Sequence, residues 1–174
     1  MKHISYILSI LLFIGTLALS LSATTFTATI TKVVDGDTIH VNHNNQEEKI
    51  RILYIDTPEK YSGAKMDKDA KKAGISVKDE EELGRLATGY AIKFFPKGTT
   101  LILDAQKKDR YGRTLASISK NGIDYSKSII QDGYACIYKK APYPKEFDGL
   151  LNQAKQGKKG LWGVNFEVMN KLCR

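Results

Sequence analysis

Histidine and cysteine, which supply most zinc sites and many nucleophilic active sites, are scarce in this chain. Its 174 residues contain only three histidines and two cysteines. His40 and His43 are three residues apart in or near a predicted strand, so their side chains point to opposite faces, which disfavours a paired zinc site. No serine or cysteine has a histidine beside it in sequence, although this is weak evidence because catalytic triads assemble in space.

The two cysteines have no histidine at metal-binding spacing, and we assign them no chemistry. In an exported protein Cys136 and Cys173 would meet oxidising conditions, under which a bridge between them is possible. Sequence alone does not say whether the geometry permits that bridge. The pairing therefore stays open at this point.

Long apolar runs, internal repeats and low-complexity blocks are absent after residue 21. Residues 4–21 carry no charge and are followed by small residues, which predicts a signal peptide over residues 1–23 and a secreted or periplasmic protein. The alternative is a membrane anchor through residues 4–21, since the run approaches the roughly 20 residues that span a bilayer. Residues 24–174 are long enough for one domain with a short C-terminal tail.

Positive charge is in excess. The chain has 27 lysines and arginines against 19 acidic residues, and removing residues 1–23 takes away only Lys2 among the charged ones. A basic domain of this kind suits a polyanionic partner, although the same charge also favours solubility.

Short β-branched segments bounded by turn residues predict five strands, at 25–34, 38–41, 49–55, 99–105 and 113–119. Apolar spacing predicts about three helices, one running from Asp79 to Pro96 and two more within 123–131 and 144–156. Residues 60–82 are highly charged with little apolar periodicity, and we predict a long surface loop there. Five strands with a helix between the third and the fourth is the order of an α+β fold built on an oligonucleotide-binding (OB) β-barrel.

Two carboxylates lie at the ends of predicted elements, where side chains project outward. Asp37 ends an Asp-Gly-Asp turn, and Asp56 ends the third strand. Together with the carbonyl oxygen of Thr57, they are hard oxygen ligands of the kind that Ca²⁺ prefers. Each motif alone is also common turn chemistry, so neither predicts a metal site by itself.

Three further charged residues suit phosphate chemistry. Glu59 follows Asp56 by three residues and is a candidate general base, while Arg51 and Arg113 can neutralise a phosphate with paired donors. Arg51 and Asp56 are separated by an odd number of residues and would face opposite sides of a regular strand. Their convergence requires the strand to twist, bulge or end before Asp56. The alternatives are an exposed loop glutamate and surface arginines.

Aromatic and basic residues also alternate in two segments. Tyr111 stands next to Arg110, and Tyr138 precedes Lys139 and Lys140, so nucleotide bases have rings to stack on beside charges for the backbone. Tyrosines half-buried under lysine stems are an equally good interpretation. Trp162, between glycines, is better explained as a packing anchor.

Taken together, four segments resemble the thermonuclease (staphylococcal nuclease-like) family: Val34–Thr38, Arg51–Glu59, Asp109–Arg113 and Gly160–Trp162. The resemblance implies an OB-fold barrel with three helices and Ca²⁺-dependent hydrolysis of DNA and RNA that leaves 3′-phosphates. Carried over by position, it implies Ca²⁺ ligation by Asp37, Asp56 and the Thr57 carbonyl, with Asp35 as support.

The same resemblance implies that Arg51 and Arg113 contact the scissile phosphate and that Glu59 orients or deprotonates the attacking water. Arg110 stands where the family often has a lysine, and Tyr111 matches a nucleotide-contacting tyrosine. The segment from Tyr134 to Tyr143 aligns loosely, so the choice between Tyr138 and Tyr143 stays open. DNA and RNA are the expected partners, with no protein partner implied.

Two rival functions remain on this basis. A barrel without catalysis that binds single-stranded nucleic acid or another polyanion needs only the basic charge and the tyrosines. A protein-binding barrel held at the membrane by its N-terminal segment needs an exposed apolar surface, which sequence does not reveal.

Overall fold

Side chains that alternate between inward and outward positions let five strands form a closed barrel. In the computed structural model, which describes residues 24–173, β1 (Thr24–Val33) pairs antiparallel with β2 (Thr38–His43), and β2 with β3 (Gln46–Ile52). β1 also pairs antiparallel with β5 (Thr100–Lys108), which pairs with β6 (Thr114–Lys120). β3 and β6 then join in parallel, so five strands close the barrel, and the predicted α+β OB-fold is confirmed.

The barrel interior is apolar because every second residue of these strands points inward. These residues are Ala28, Ile30, Ile39, Val41, Ile50, Ile52, Leu101, Leu103, Ala105, Ala116 and Ile118. The helix over residues 77–94 packs against the same core through side chains at three-to-four spacing, Leu83, Ala87 and Ala91. Trp162 is fully buried, as expected for a packing anchor.

Six helices and three short strands complete residues 24–173. The helices are α1 (Ala64–Ala73), α2 (Val77–Phe94), α3 (Tyr125–Gln131), α4 (Glu146–Gln156), α5 (Leu161–Val164) and α6 (Phe166–Leu172). The strands are β4 (Ile55–Asp56), β7 (Ile123–Asp124) and β8 (Cys136–Ile137). The sequence predicts about three helices, which correspond to α2, α3 and α4, whereas α1, α5 and α6 are additional.

The prediction of a long surface loop over residues 60–82 is wrong. Helix α1 lies inside this segment, and α2 begins at Val77. Only Met66 and Ala70 of α1 are buried, which is too narrow an apolar stripe to stand out among so many charges. The Ser76 hydroxyl accepts the Asp79 backbone N–H at 3.0 Å and caps the start of α2.

The third strand begins and ends three residues earlier than the predicted 49–55, at Gln46 and Ile52. β3 ends at Ile52, a turn follows in which Tyr54 has a φ of 71°, and β4 then pairs with β8 instead of continuing the barrel sheet. This break lies between Arg51 and Asp56. The two side chains can therefore meet, although an odd number of residues separates them and a regular strand would point them to opposite faces.

Cys136 of β8 and Cys173 after α6 form a disulfide with a Cα–Cα distance of 5.2 Å. The bond ties the end of the described chain to the strand that pairs with Asp56. No helix within residues 24–173 is long and apolar enough to span a membrane. The predicted signal peptide or anchor over residues 1–23 lies outside the described residues.

Candidate active site

Arg51 joins the two carboxylates that the sequence predicts as metal ligands. Its Nη2 atom donates to Asp56 Oδ1 at 3.0 Å and to the Ile55 carbonyl at 3.2 Å, and its Nη1 atom pairs with Asp37. Only 14% of the Arg51 side chain is exposed. One guanidinium fork therefore holds the Asp35–Asp37 turn beside the end of β4.

Asp37 is a buried carboxylate with a full set of donors. Its Oδ2 atom accepts the Thr57 backbone N–H at 3.0 Å and the Thr57 hydroxyl at 3.2 Å, while Oδ1 accepts the Thr38 hydroxyl at 3.0 Å. A Cβ atom on Gly36 would lie 2.6 Å from the Thr57 side chain, so this turn needs a glycine for Thr57 to approach. Asp37 and Thr57, 20 residues apart, are thereby locked together.

The surrounding structure fixes this turn from behind. Asp35 Oδ1 accepts the Asp37 backbone N–H at 3.0 Å, and burial raises the pKa of Asp35 although Arg51 opposes the shift. The buried Tyr125 hydroxyl donates to the Gly36 carbonyl at 2.7 Å. Helix α3 therefore supports the Asp-Gly-Asp turn directly.

Arg113 reaches the same end of the barrel from the turn before β6. Asp109 accepts from its backbone N–H at 3.0 Å, from Nε at 2.9 Å and from Nη2 at 2.8 Å. Although burial acts in the opposite direction, these hydrogen bonds hold the pKa of Asp109 below its usual range. Arg113 Nη1 lies 3.5 Å from the Thr38 hydroxyl, which itself bonds Asp37.

Glu59 lies beyond Asp56 and is held by two helices. Its side chain pairs with Lys65 of α1, whose ammonium also lies 3.1 Å from Asp69 and 3.9 Å from Asp56. Its backbone N–H points to the Glu80 carboxyl of α2 at 3.5 Å. The predicted base is thus near the predicted ligands, with a lysine ammonium between them.

The predicted nucleotide-contacting residues lie in two places. Tyr111 is 66% exposed, and its ring faces the guanidinium groups of Arg110 at 4.8 Å and Arg113 at 5.5 Å. Tyr138 follows β8 and lines a cavity of about 170 Å³ together with Asp56 and Thr57. Tyr143 does not line this cavity and instead donates its hydroxyl to Asp148 on α4 at 3.2 Å.

Comparison with known proteins identifies the family of this chain. Residues 49–164 match the sequence model of the family described as staphylococcal nuclease homologue. An uncharacterised protein of Methanocaldococcus jannaschii is 35% identical over 76% of this chain and 70% of its own length. The chain belongs to the staphylococcal nuclease homologue family.

Two other relatives carry functional names. A thermonuclease of Staphylococcus hyicus is 28% identical over 76% of this chain and 73% of its own length. An endonuclease of Bacillus subtilis is 30% identical over 80% of this chain, but that match spans only 12% of the endonuclease. This family domain is therefore a small part of that larger protein.

The donor set agrees with the divalent cation implied for a staphylococcal nuclease homologue. Within residues 24–173 no three histidine, cysteine or acidic side chains are grouped so as to hold a metal ion. The implied set needs only two carboxylates, Asp37 and Asp56, with the Thr57 carbonyl, and all three donors are hard oxygens. Arg51 bonds both carboxylates and Lys65 lies near Asp56, so this acidic pair already attracts positive charge.

Sequence reasoning missed the residues that this family member contributes from its helices. Lys65, Glu80 and Gly84 all touch Glu59, yet they lie in or next to the segment predicted as a loop. The run of alternating lysines and acidic residues in that segment could have indicated a charged helix, but the same pattern is equally typical of a solvent-exposed loop.

Proposed function

We propose that this protein is a nuclease that hydrolyses phosphodiester bonds in DNA and RNA, depends on Ca²⁺ and leaves 3′-phosphates. Membership of the staphylococcal nuclease homologue family supports the reaction class, as do relatives named thermonuclease and endonuclease. The calcium requirement and the product are inferred from the family resemblance and from the oxygen ligands of the site.

One structural observation carries the proposal: the predicted ligands and catalytic residues form a single chain of polar contacts at one end of the barrel. Apart from the bond between the neighbours Asp37 and Thr38, each contact joins side chains from different segments, so the arrangement depends on the tertiary fold. The residues joined by successive contacts are, in order, Arg113, Thr38, Asp37, Arg51, Asp56, Lys65 and Glu59.

The two arginines suit the charge that builds on a phosphate during hydrolysis. Arg51 enters from β3 and Arg113 from the turn before β6, and carboxylates fix both guanidinium groups before substrate arrives. Preorganised donors of this kind stabilise developing charge without reorganisation during the reaction. Ca²⁺, when bound, would polarise the phosphate and neutralise part of its charge.

Glu59 suits the role of general base. It is anchored through its backbone, whereas its carboxylate has only the ammonium group of Lys65 as a side-chain partner among residues 24–173. A carboxylate beside the phosphate site can orient a water and take its proton.

Substrate affinity would come mainly from charge, with little sequence selectivity. The chain is strongly basic, and Tyr111 and Tyr138 offer rings on which any base can stack. We also propose that the protein is secreted or periplasmic, because a disulfide between Cys136 and Cys173 is typical of oxidising compartments.

The test is hydrolysis of single-stranded DNA by the purified protein, with Ca²⁺ and then with a calcium chelator. Glu59→Gln should lower turnover by about 10²- to 10⁴-fold while leaving DNA binding nearly unchanged. Glu167→Gln, an exposed glutamate on α6, is the matched control and should cleave normally. Salt-sensitive DNA binding without cleavage under any divalent cation would instead support the non-catalytic polyanion-binding barrel.

A further inference from the structure

Lys65 lies between the proposed base and a proposed cation ligand, yet the proposed hydrolysis assigns it no role. Its ammonium pairs with the Glu59 carboxylate and lies 3.1 Å from Asp69 Oδ2 and 3.9 Å from Asp56 Oδ1. Glu59 is the proposed base, and Asp56 is a proposed cation ligand. One flexible cation therefore neutralises a residue from each half of the site.

The placement of Lys65 is built into the fold. The next residue, Met66, is fully buried, and Ala70 is 2% exposed, so α1 is held against the rest of the domain. Asp69 is one helical turn after Lys65 and is its neighbour on the helix surface. Although partial burial acts against the charged ammonium, Asp56 and Glu59 outweigh it and raise the pKa of Lys65.

Lys65 and a divalent cation would be attracted by the same carboxylates. Both charges are positive, so each weakens the binding of the other near Asp56. Asp69 offers the ammonium a second partner that belongs neither to the proposed ligands nor to the proposed catalytic residues. The side chain can therefore leave Glu59 without losing all its pairing.

We propose that Lys65 is a positioning residue that acts as a built-in counter-cation, competing with a divalent cation for Asp56 and restraining Glu59 until that cation binds. This inference rests on the proposed function, because it assumes that Asp37, Asp56 and Thr57 bind the cation. Lys65 thereby sets the cation concentration that the site requires. Helix α1 contributes the competitor, and Asp69 receives it.

The experiment measures Ca²⁺ binding to the full protein by titration calorimetry at low ionic strength. Lys65→Met removes the charge and keeps the length of the side chain. It should lower the Kd for Ca²⁺ by at least about fivefold, because one unit charge about 4 Å from another changes an affinity by about that factor in a water-like dielectric and Ca²⁺ carries two charges. Lys65→Arg keeps the charge and should retain the wild-type Kd.

Lys68→Met is the matched control, because Lys68 is an exposed lysine of the same helix with no ion pair among residues 24–173. It should leave the Kd unchanged, which excludes a general effect of net charge. The Ca²⁺ concentration for half-maximal DNA cleavage should fall in Lys65→Met alone.

An unchanged or weaker Ca²⁺ affinity in Lys65→Met would overturn the inference while leaving the nuclease proposal intact if the wild type still cleaves DNA with Ca²⁺. The same shift in Lys68→Met would also overturn it. Absence of Ca²⁺ binding in every variant would overturn both the inference and the calcium part of the proposed function.

Discussion

The backbone of Glu59 lies directly against Gly84 of helix α2. A Cβ atom added at Gly84 would stand 2.2 Å from the Glu59 carbonyl oxygen and 2.7 Å from the Lys60 nitrogen. Both are backbone atoms, so no side-chain rotation relieves the clash. This glycine therefore sets how closely the helix and the proposed base approach.

Gly84→Ala should displace Glu59 and lower turnover by at least about tenfold, since small misplacements of catalytic groups are costly. It should also lower the free energy of unfolding by about 1–3 kcal/mol through overpacking. Gly89→Ala lies in the same helix and adds a Cβ with nothing within 4 Å. The Gly89→Ala control should cleave DNA normally, and its free energy of unfolding should rise by up to about 1 kcal/mol. Equal activity in the two variants would contradict the positioning role of Gly84.

Arg51→Lys should lower kcat by about 10²- to 10³-fold, the range for losing one donor to a developing oxyanion. A lysine lacks the planar fork that bonds Asp37 and Asp56 together, so it cannot hold both segments. Steady-state cleavage assays measure the effect. Arg85→Lys on the surface of α2, where Arg85 pairs with Glu81 at 3.4 Å, should have normal kinetics. A normal kcat in Arg51→Lys would remove the fork from the mechanism.

Glu80 should make stability depend on pH. Its side chain is buried with Oε2 lacking a hydrogen-bond partner among residues 24–173, and burial raises the pKa of Glu80 from 4.5 to about 7. Because the folded state binds the Glu80 proton more tightly than the unfolded state, protonation of Glu80 stabilises the fold. This contribution is complete below about pH 4.5 and is lost as the pH rises through 7. Glu80→Gln removes the titration.

The stability of Glu80→Gln relative to wild type should therefore rise by about 2–3 kcal/mol between pH 4.5 and pH 8. Urea unfolding at both pH values measures the change. Glu82→Gln, an exposed glutamate two residues later, should keep a constant difference from wild type. A constant difference for Glu80→Gln as well would mean that Glu80 titrates normally.

The disulfide should contribute substantially to stability. It closes a loop with a sequence separation of 37 residues, for which the chain-entropy relation gives about 3–4 kcal/mol. Cys136→Ala with Cys173→Ala should lose this amount in urea unfolding without reductant. Adding reductant should destabilise the wild type but not the double variant. Equal stability of the two oxidised proteins would contradict the expected contribution.

Much of the barrel could be predicted because its signals are local. Alternation in β1 and β2, the Asp-Gly-Asp turn and the apolar spacing of α2 are each contained in a short window. The site residues at the ends of these elements could also be proposed, and the structure brings Arg51, Asp37 and Asp56 together. Their chemical roles remain predictions for the experiments above.

Helix α1 could not be predicted for the opposite reason. It buries only Met66 and Ala70, so charged residues dominate its sequence pattern. Packing against α2 and α6, rather than local propensity, keeps it helical. Missing this helix also meant missing Lys65.

By itself, the sequence determined the residue types of the site and the alternating strands that carry them, since both depend on neighbours along the chain. Only the tertiary structure decided that β3 breaks before Asp56, that Arg51 spans two carboxylates, and that α1 places an ammonium beside Glu59. These relationships join side chains of different secondary-structure elements, so they depend on how those elements pack. Long-range packing and electrostatics set them, and no local pattern records either.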